Sequence, residues 1–250
     1  MVIKIDMFEF PTKEEMAPLL KESPLYNYVI DSKLFHWTNQ KLSGLDRIDY
    51  LNLNRNIASS LNKRIFQLNL SYAYLLYYSR RGIPDGEYPY LNNLTDKEWT
   101  NKVHFDQNAD SLFQKAFTSL DLLAHLLFAC LGLKTKWKRK GKLIKTKKSF
   151  HSVMLQIQIV DSALYNKLDK IRSSVEFQEA SKVRNDIIHN QPPYEKRTQI
   201  VEDSEDGTVS VVVQYTPSKR LLEIALGLLE YMKRICEIIE GYFNEKITCS

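Results

Sequence analysis

One arginine, one asparagine and one histidine, set just ahead of a pair of prolines, carry the strongest chemical signal in this chain. They are Arg184, Asn185 and His189 in the stretch KVRNDIIHNQPPY, residues 182 to 194. A guanidinium is a planar, permanently charged fork that matches phosphate oxygens. An imidazole, with a reference pKa of about 6.5, exchanges protons at neutral pH. Together they suit chemistry at an RNA phosphodiester, where the 2′-hydroxyl is already present as the nucleophile. On a helix, Asn185 and His189 are one turn apart and share a face. Arg184 lies about 140° round from His189 at ~100° per residue. The length of an arginine and the opening of a last helical turn are expected to bring both heads to one pocket beside the helix end.

Such a group needs a helix that begins and stops at defined places. Ser173-Ser-Val-Glu176 matches a capping box and predicts the start. Phe177, Ala180, Val183 and Ile187 are its inward positions, and Asn190, Pro192 and Pro193 end it. The neighbouring elements are also legible. Residues 46–79 carry one apolar stripe, Ala58, Leu61, Ile65, Leu68, Tyr72 and Leu75. Residues 107–132 carry a wider one, and Thr95-Asp-Lys-Glu98 is a capping-box match at which a helix can open. Two shorter helical pieces meet near Asp161. Alternation of Val209, Val211 and Val213 around Asp206-Gly207 predicts a hairpin over 197–216. The acids at its tip, Glu202, Asp203, Glu205 and Asp206, are expected to be a solvated turn. The final helix, 218–243, has Leu221, Ala225, Leu228, Met232, Ile235, Ile239 and Tyr242 in alternating steps of four and three, widened by Leu222, Leu229, Cys236 and Phe243. A stripe that broad suits the core of a bundle.

Arg184, Asn185 and His189 in this order, near the end of one helix and ahead of a long closing helix, resemble the HEPN superfamily, whose signature is an arginine, four to six residues and a histidine. The resemblance covers roughly residues 105–245, extending toward 46. It implies an all-α, HEPN-like bundle of four to six helices with a small β-hairpin before the last. That helical domain spans 46–250, and 1–45 is an N-terminal extension. The implied activity is a metal-independent endoribonuclease, in a defence, toxin or RNA-processing context, leaving 2′,3′-cyclic phosphate ends. His189 moves protons, Arg184 answers charge growing on the phosphate, and Asn185 orients either. The resemblance also implies a homodimer, which brings in a second histidine, and it admits an inhibitory protein partner. Some toxin members carry a tyrosine two residues after the histidine. Here that position is Gln191, and Tyr194 stands five residues after His189. A non-catalytic module binding RNA or a nucleotide, or a protein-interaction subunit, stays open as the alternative.

Charge distribution supports a nucleic-acid partner. The net charge is +5, and residues 134–148 hold nine cations and no acid, so subtracting nine leaves −4 for the rest. This segment is expected to be a basic loop in which Lys134, Lys136, Lys138, Arg139, Lys140 and Lys142 follow a single-stranded or looped RNA backbone while Trp137 stacks one base. Asp121 and His125, one turn apart, read as a buried hydrogen-bonded pair. Tyr72, Tyr74, Tyr77 and Tyr78 read as core and groove-lining aromatics. No metal-ligand spacing, P-loop or nucleophile elbow occurs, and no cofactor is expected. Cys130, Cys236 and Cys249 form no framework, charges break the first residues too early for a signal peptide, and no stretch is apolar enough to span a bilayer. A cytoplasmic setting without membrane contact is the expectation.

Overall fold

The computed structural model describes residues 4–31, 37–38, 41–85, 94–139, 142–145, 148–202 and 209–248. Among these the chain is all-α in character, with helices α1 (Lys13–Lys21), α2 (Gly44–Arg80), α3 (Asp96–Cys130), α4 (Phe150–Val160), α5 (Ser162–Arg172), α6 (Val175–His189) and α7 (Ser218–Thr248). Two antiparallel hairpins interrupt them, β1 (Lys136–Arg139) with β2 (Lys142–Lys145) and β3 (Arg197–Glu202) with β4 (Val209–Gln214). No described helix is long and apolar enough to cross a membrane.

The core follows the stripes. α2 and α3 form the most extensive helix pair, and α7 packs on α2, α3, α5 and α6. Leu61, Leu68 and Leu75 of α2, Leu112, Phe113 and Leu123 of α3, and Leu221, Leu228 and Ile235 of α7 are all buried. The closing stripe is as broad as its spacing requires, with Leu229, Cys236 and Phe243 buried and Leu222 and Tyr242 half-buried at its edges. Tyr72, Tyr77 and Tyr78 are buried in the same core, and Tyr74 packs against it. The α3 helix starts at the Thr95 capping box, both halves of which form.

Three expectations change. Residues 134–148 are not a plain loop, because β1 and β2 pair with Lys136 opposite Lys145 and Trp137 opposite Ile144. The N-terminal segment is more than an extension. Thr12 and Glu15 complete a capping box for α1, and Met16, Leu19, Leu25 and Ile30 join the common core. The N-cap of α6 is Ser174, not Ser173, because the Ser174 hydroxyl accepts the Phe177 N–H.

The beginning of α3 is polar in sequence, yet it is buried. Lys102, only 2% exposed, donates to Asp106 at 2.5 Å, and its ammonium lies over the rings of Tyr194 and Tyr215 at 5.1 and 5.8 Å. Tyr194 donates to Asp110 at 2.6 Å. Buried Asp85 accepts from Tyr215 Oη, Ser218 N and Ser218 Oγ, and so caps α7 from across the fold.

Burial pushes the Asp106 carboxyl up to about 7, with Lys102 pulling it down and Asp85 and Asp110 pushing it further up. The folded chain therefore holds this proton above the ordinary carboxyl value of 3.8. Its stabilising contribution is complete below that value and is lost as pH rises through 7. An Asp106→Asn variant cannot ionise there. Between about pH 5 and pH 8 the parent's melting temperature should fall relative to that of the variant. A difference constant across that window, by scanning fluorimetry, means the carboxyl titrates normally.

Candidate functional site

The α6 helix is placed by its apolar face and clamped at both ends. Phe177, Ala180 and Val183 are buried, and the Phe177 ring lies 5.8 Å from that of Phe117 on α3. Glu179 accepts from Arg220 of α7 at 2.7 Å, and Glu176 accepts from Tyr231 at 3.0 Å. Neither glutamate is left to pair with the motif. At the far end His189 is the last helical residue. Asn190 leaves helical geometry while its backbone N–H still reaches Asp186 O, and its side chain donates to Asp186 Oδ1 at 3.0 Å. Pro193 O accepts from Thr216 N at 2.7 Å, which ties the exit from α6 to the return from β4. The second hairpin thus anchors the helix stop.

Arg184, Asn185 and His189 sit on this helix as the sequence places them. Arg184 is half-buried, and Asn185 and His189 are exposed. The Arg184 guanidinium donates to Asn185 Oδ1 at 3.0 Å and lies 5.9 Å from the centre of the Phe117 ring. Its Nε is buried and meets no acceptor among the described residues. No carboxylate within the described residues forms an ion pair with it; nearby Asp186 pairs instead with Arg197 at 3.5 Å.

Within a single chain the structure does not bring Arg184 and His189 to one pocket. Arg184 borders a hollow of about 360 Å³ between α3, α4, α5 and α6, and neither His189 nor Asn185 lines it. The physical reason is that α6 stays regular through His189, so the angular separation of the two positions persists.

Among the residues lining that hollow are two basic ones that local spacing does not reveal, His151 of α4 and Arg172 of α5. They are separated by 21 residues and are joined by a contact of 3.1 Å from Arg172 Nη1 to His151 Nδ1. Asp121 also lines it, but it is not paired with His125 as expected. Its Oδ1 accepts the Phe150 N–H at 2.9 Å, holding the start of α4 against α3.

The basic segment is rooted firmly. Lys134 N donates to Gln156 Oε1 at 3.0 Å, and Gln156 Nε2 donates back to Lys134 O at 2.8 Å. Lys134 and Lys136 are exposed, and Trp137 is half-buried beside Leu133, Ile159 and Val160. Its indole N–H has no partner among the described residues. Lys138, Arg139 and Lys142 lie in the strands, and Lys140 falls outside the described residues, as do Asp203, Glu205 and Asp206 at the tip of the second hairpin. Tyr194 is buried, its hydroxyl committed to Asp110. Among the described residues no cluster of three or more histidines, cysteines or acids is arranged to hold a metal ion.

Against known families, the model described as HEPN_Cthe2314-like HEPN matches residues 58–246, from within α2 to the last turn of α7. No curated protein and no solved structure matches the chain.

The clamp at the end of α6 is testable by itself. Arg197 already has Nε and Nη2 buried without partners among the described residues, so Asp186→Ala removes the acid that meets its guanidinium. Loss of this partner and of the Asn190 bond should cost about 1–3 kcal/mol in urea unfolding. An unchanged midpoint means the helix stop is held by the prolines alone.

Proposed function

The chain belongs to the Cthe2314-like HEPN family, and from that premise we propose that it is a metal-independent endoribonuclease acting through Arg184, Asn185 and His189. One observation carries the reading. A guanidinium without a carboxylate partner among the described residues, steadied by Asn185 and Phe117, shares a helix with an exposed terminal imidazole. An arginine kept only for stability is more usually paired, because a desolvated charge without a partner costs free energy.

The chemistry is in-line displacement. The 2′-oxygen attacks phosphorus, the bond to the 5′-oxygen breaks, and the products end in a 2′,3′-cyclic phosphate and a 5′-hydroxyl. One imidazole takes the 2′-hydroxyl proton, and a second gives a proton to the departing oxygen. Arg184 stabilises the charge spreading over the phosphate. A homodimer supplies the second imidazole as the same residue of another copy. It also resolves the separation within one chain, since Arg184 of one copy and His189 of the other then flank one phosphate. The paired basic segment, residues 134–148, leads the RNA strand toward this cleft.

A second reading has one observation in its favour: His189 does not line the hollow that Arg184 borders. On that reading the chain binds RNA or a nucleotide without cutting it.

Cleavage assays separate the two. His189→Ala should lower the cleavage rate by about 10²–10⁴-fold with the fold intact by circular dichroism, and EDTA should leave the parent's rate unchanged. Parent and variant cutting at equal rates removes the nuclease reading. In a binding assay, if roughly four cations of the basic segment meet phosphates, affinity should fall about a hundredfold over a fourfold rise in salt. A salt-independent affinity removes the segment from the RNA path.

A further inference from the structure

The hollow beside Arg184 gathers basic and aromatic side chains from several helices. Arg172, His151 and Arg184 come to it from α5, α4 and α6, and half-buried Phe117 supplies aromatic surface. Asp121 is the one acid among the residues lining it, and that carboxylate accepts the Phe150 N–H. Arg172 donates its Nε and Nη2 to Asp169 Oδ1 at 2.9 and 2.6 Å, which locks the guanidinium in place, while Nη1 donates to His151 Nδ1. A guanidinium has no acceptor to offer, so in this contact Nδ1 is the accepting atom and Nε2 is the ring nitrogen left for a ligand. His151 is exposed on the rim of the hollow. The start of α4, with His151 at its second residue, adds the partial positive charge of a helix N-terminus.

We propose that Arg172, His151 and Arg184 form a nucleotide-phosphate subsite, with Phe117 offering a face for the base. About 360 Å³ is at the scale of small-ligand clefts, and aromatic stacking tolerates any base. The ligand is either the nucleotide beside the phosphodiester that is cut or a free mononucleotide, which present the same phosphate chemistry. The inference rests on the nuclease reading in one respect, that Arg184 meets a phosphate. It adds Arg172 and His151, 12 and 33 residues before Arg184 in the sequence, as phosphate contacts that seat the nucleotide next to the cut whatever its base.

Two probes test it on the full chain. A fluorescein-labelled 2′-O-methyl octaribonucleotide lacks the attacking hydroxyl and reports strand binding by anisotropy; ATP, followed by calorimetry, reports a free nucleotide. His151→Gln and Arg172→Gln should each weaken binding about tenfold or more, the usual size of a lost charge-assisted hydrogen bond. His151 is exposed, so its variant should melt with the parent, and it keeps the test valid if loss of the Asp169 contacts unfolds the Arg172 variant. Weakened binding of the octanucleotide supports the strand as ligand, and weakened ATP binding alone supports the free nucleotide. Parent-like binding of both probes by the variants, or no binding of either by the parent, overturns the subsite. RNA cleavage measured in parallel keeps the two readings apart: a parent that binds through the hollow yet cuts nothing removes the nuclease reading and leaves the subsite standing.

Discussion

Charged groups withdrawn from water hold the exit of α6 and the entry to α7 against α3. Lys102 is buried against Asp106 and between two tyrosine rings, while Asp85 accepts three hydrogen bonds from Tyr215 and Ser218. Such a buried pair is weak as a source of stability, but removing Asp106 leaves the Lys102 ammonium buried without its acceptor, at a cost of several kcal/mol. The arrangement therefore specifies more than it stabilises. Tyr194 lies just after the motif helix and Tyr215 just before the closing helix, and both meet Lys102. These contacts fix where the chain goes after α6, and His189 stands at the point where it leaves.

Much of the fold was written in apolar spacing. The α7 stripe, the break at Asp161 and the stop at Pro192 and Pro193 rest on local rules, helical periodicity and the missing amide of proline, and the structure keeps them. Where local rules were degenerate the reading slipped. Ser173 and Ser174 are both residue types that cap a helix, but Ser173 is still the helical C-cap of α5, which leaves the extended Ser174 to cap α6. The first turns of α3 bury Thr100, Asn101, Lys102 and His104. Polar residues leave no apolar stripe, so only the Thr95 box marked that start. The first hairpin was masked by its lysines, because strand alternation cannot be read where charged side chains occupy successive positions.

The motif was legible because its three members share one helix, so spacing along the chain is spacing in space. The hollow was not. Arg172 and His151 come from different helices and are adjacent only after α4 and α5 fold back on α3 and α6, and no spacing rule anticipates them. The expected convergence of Arg184 and His189 failed for a related reason: a regular helix keeps its angular steps whatever the length of the side chain.

The long helices have a consequence for the reach of this molecule. At 1.5 Å per residue the 37 residues of α2 and the 35 of α3 run to about 55 and 52 Å. A compact chain of 250 residues has a radius of gyration of about 18 Å, and a solid sphere of that radius of gyration is about 46 Å across. Each of these helices is therefore as long as such a molecule is wide, and a tilt of either displaces both of its ends at once.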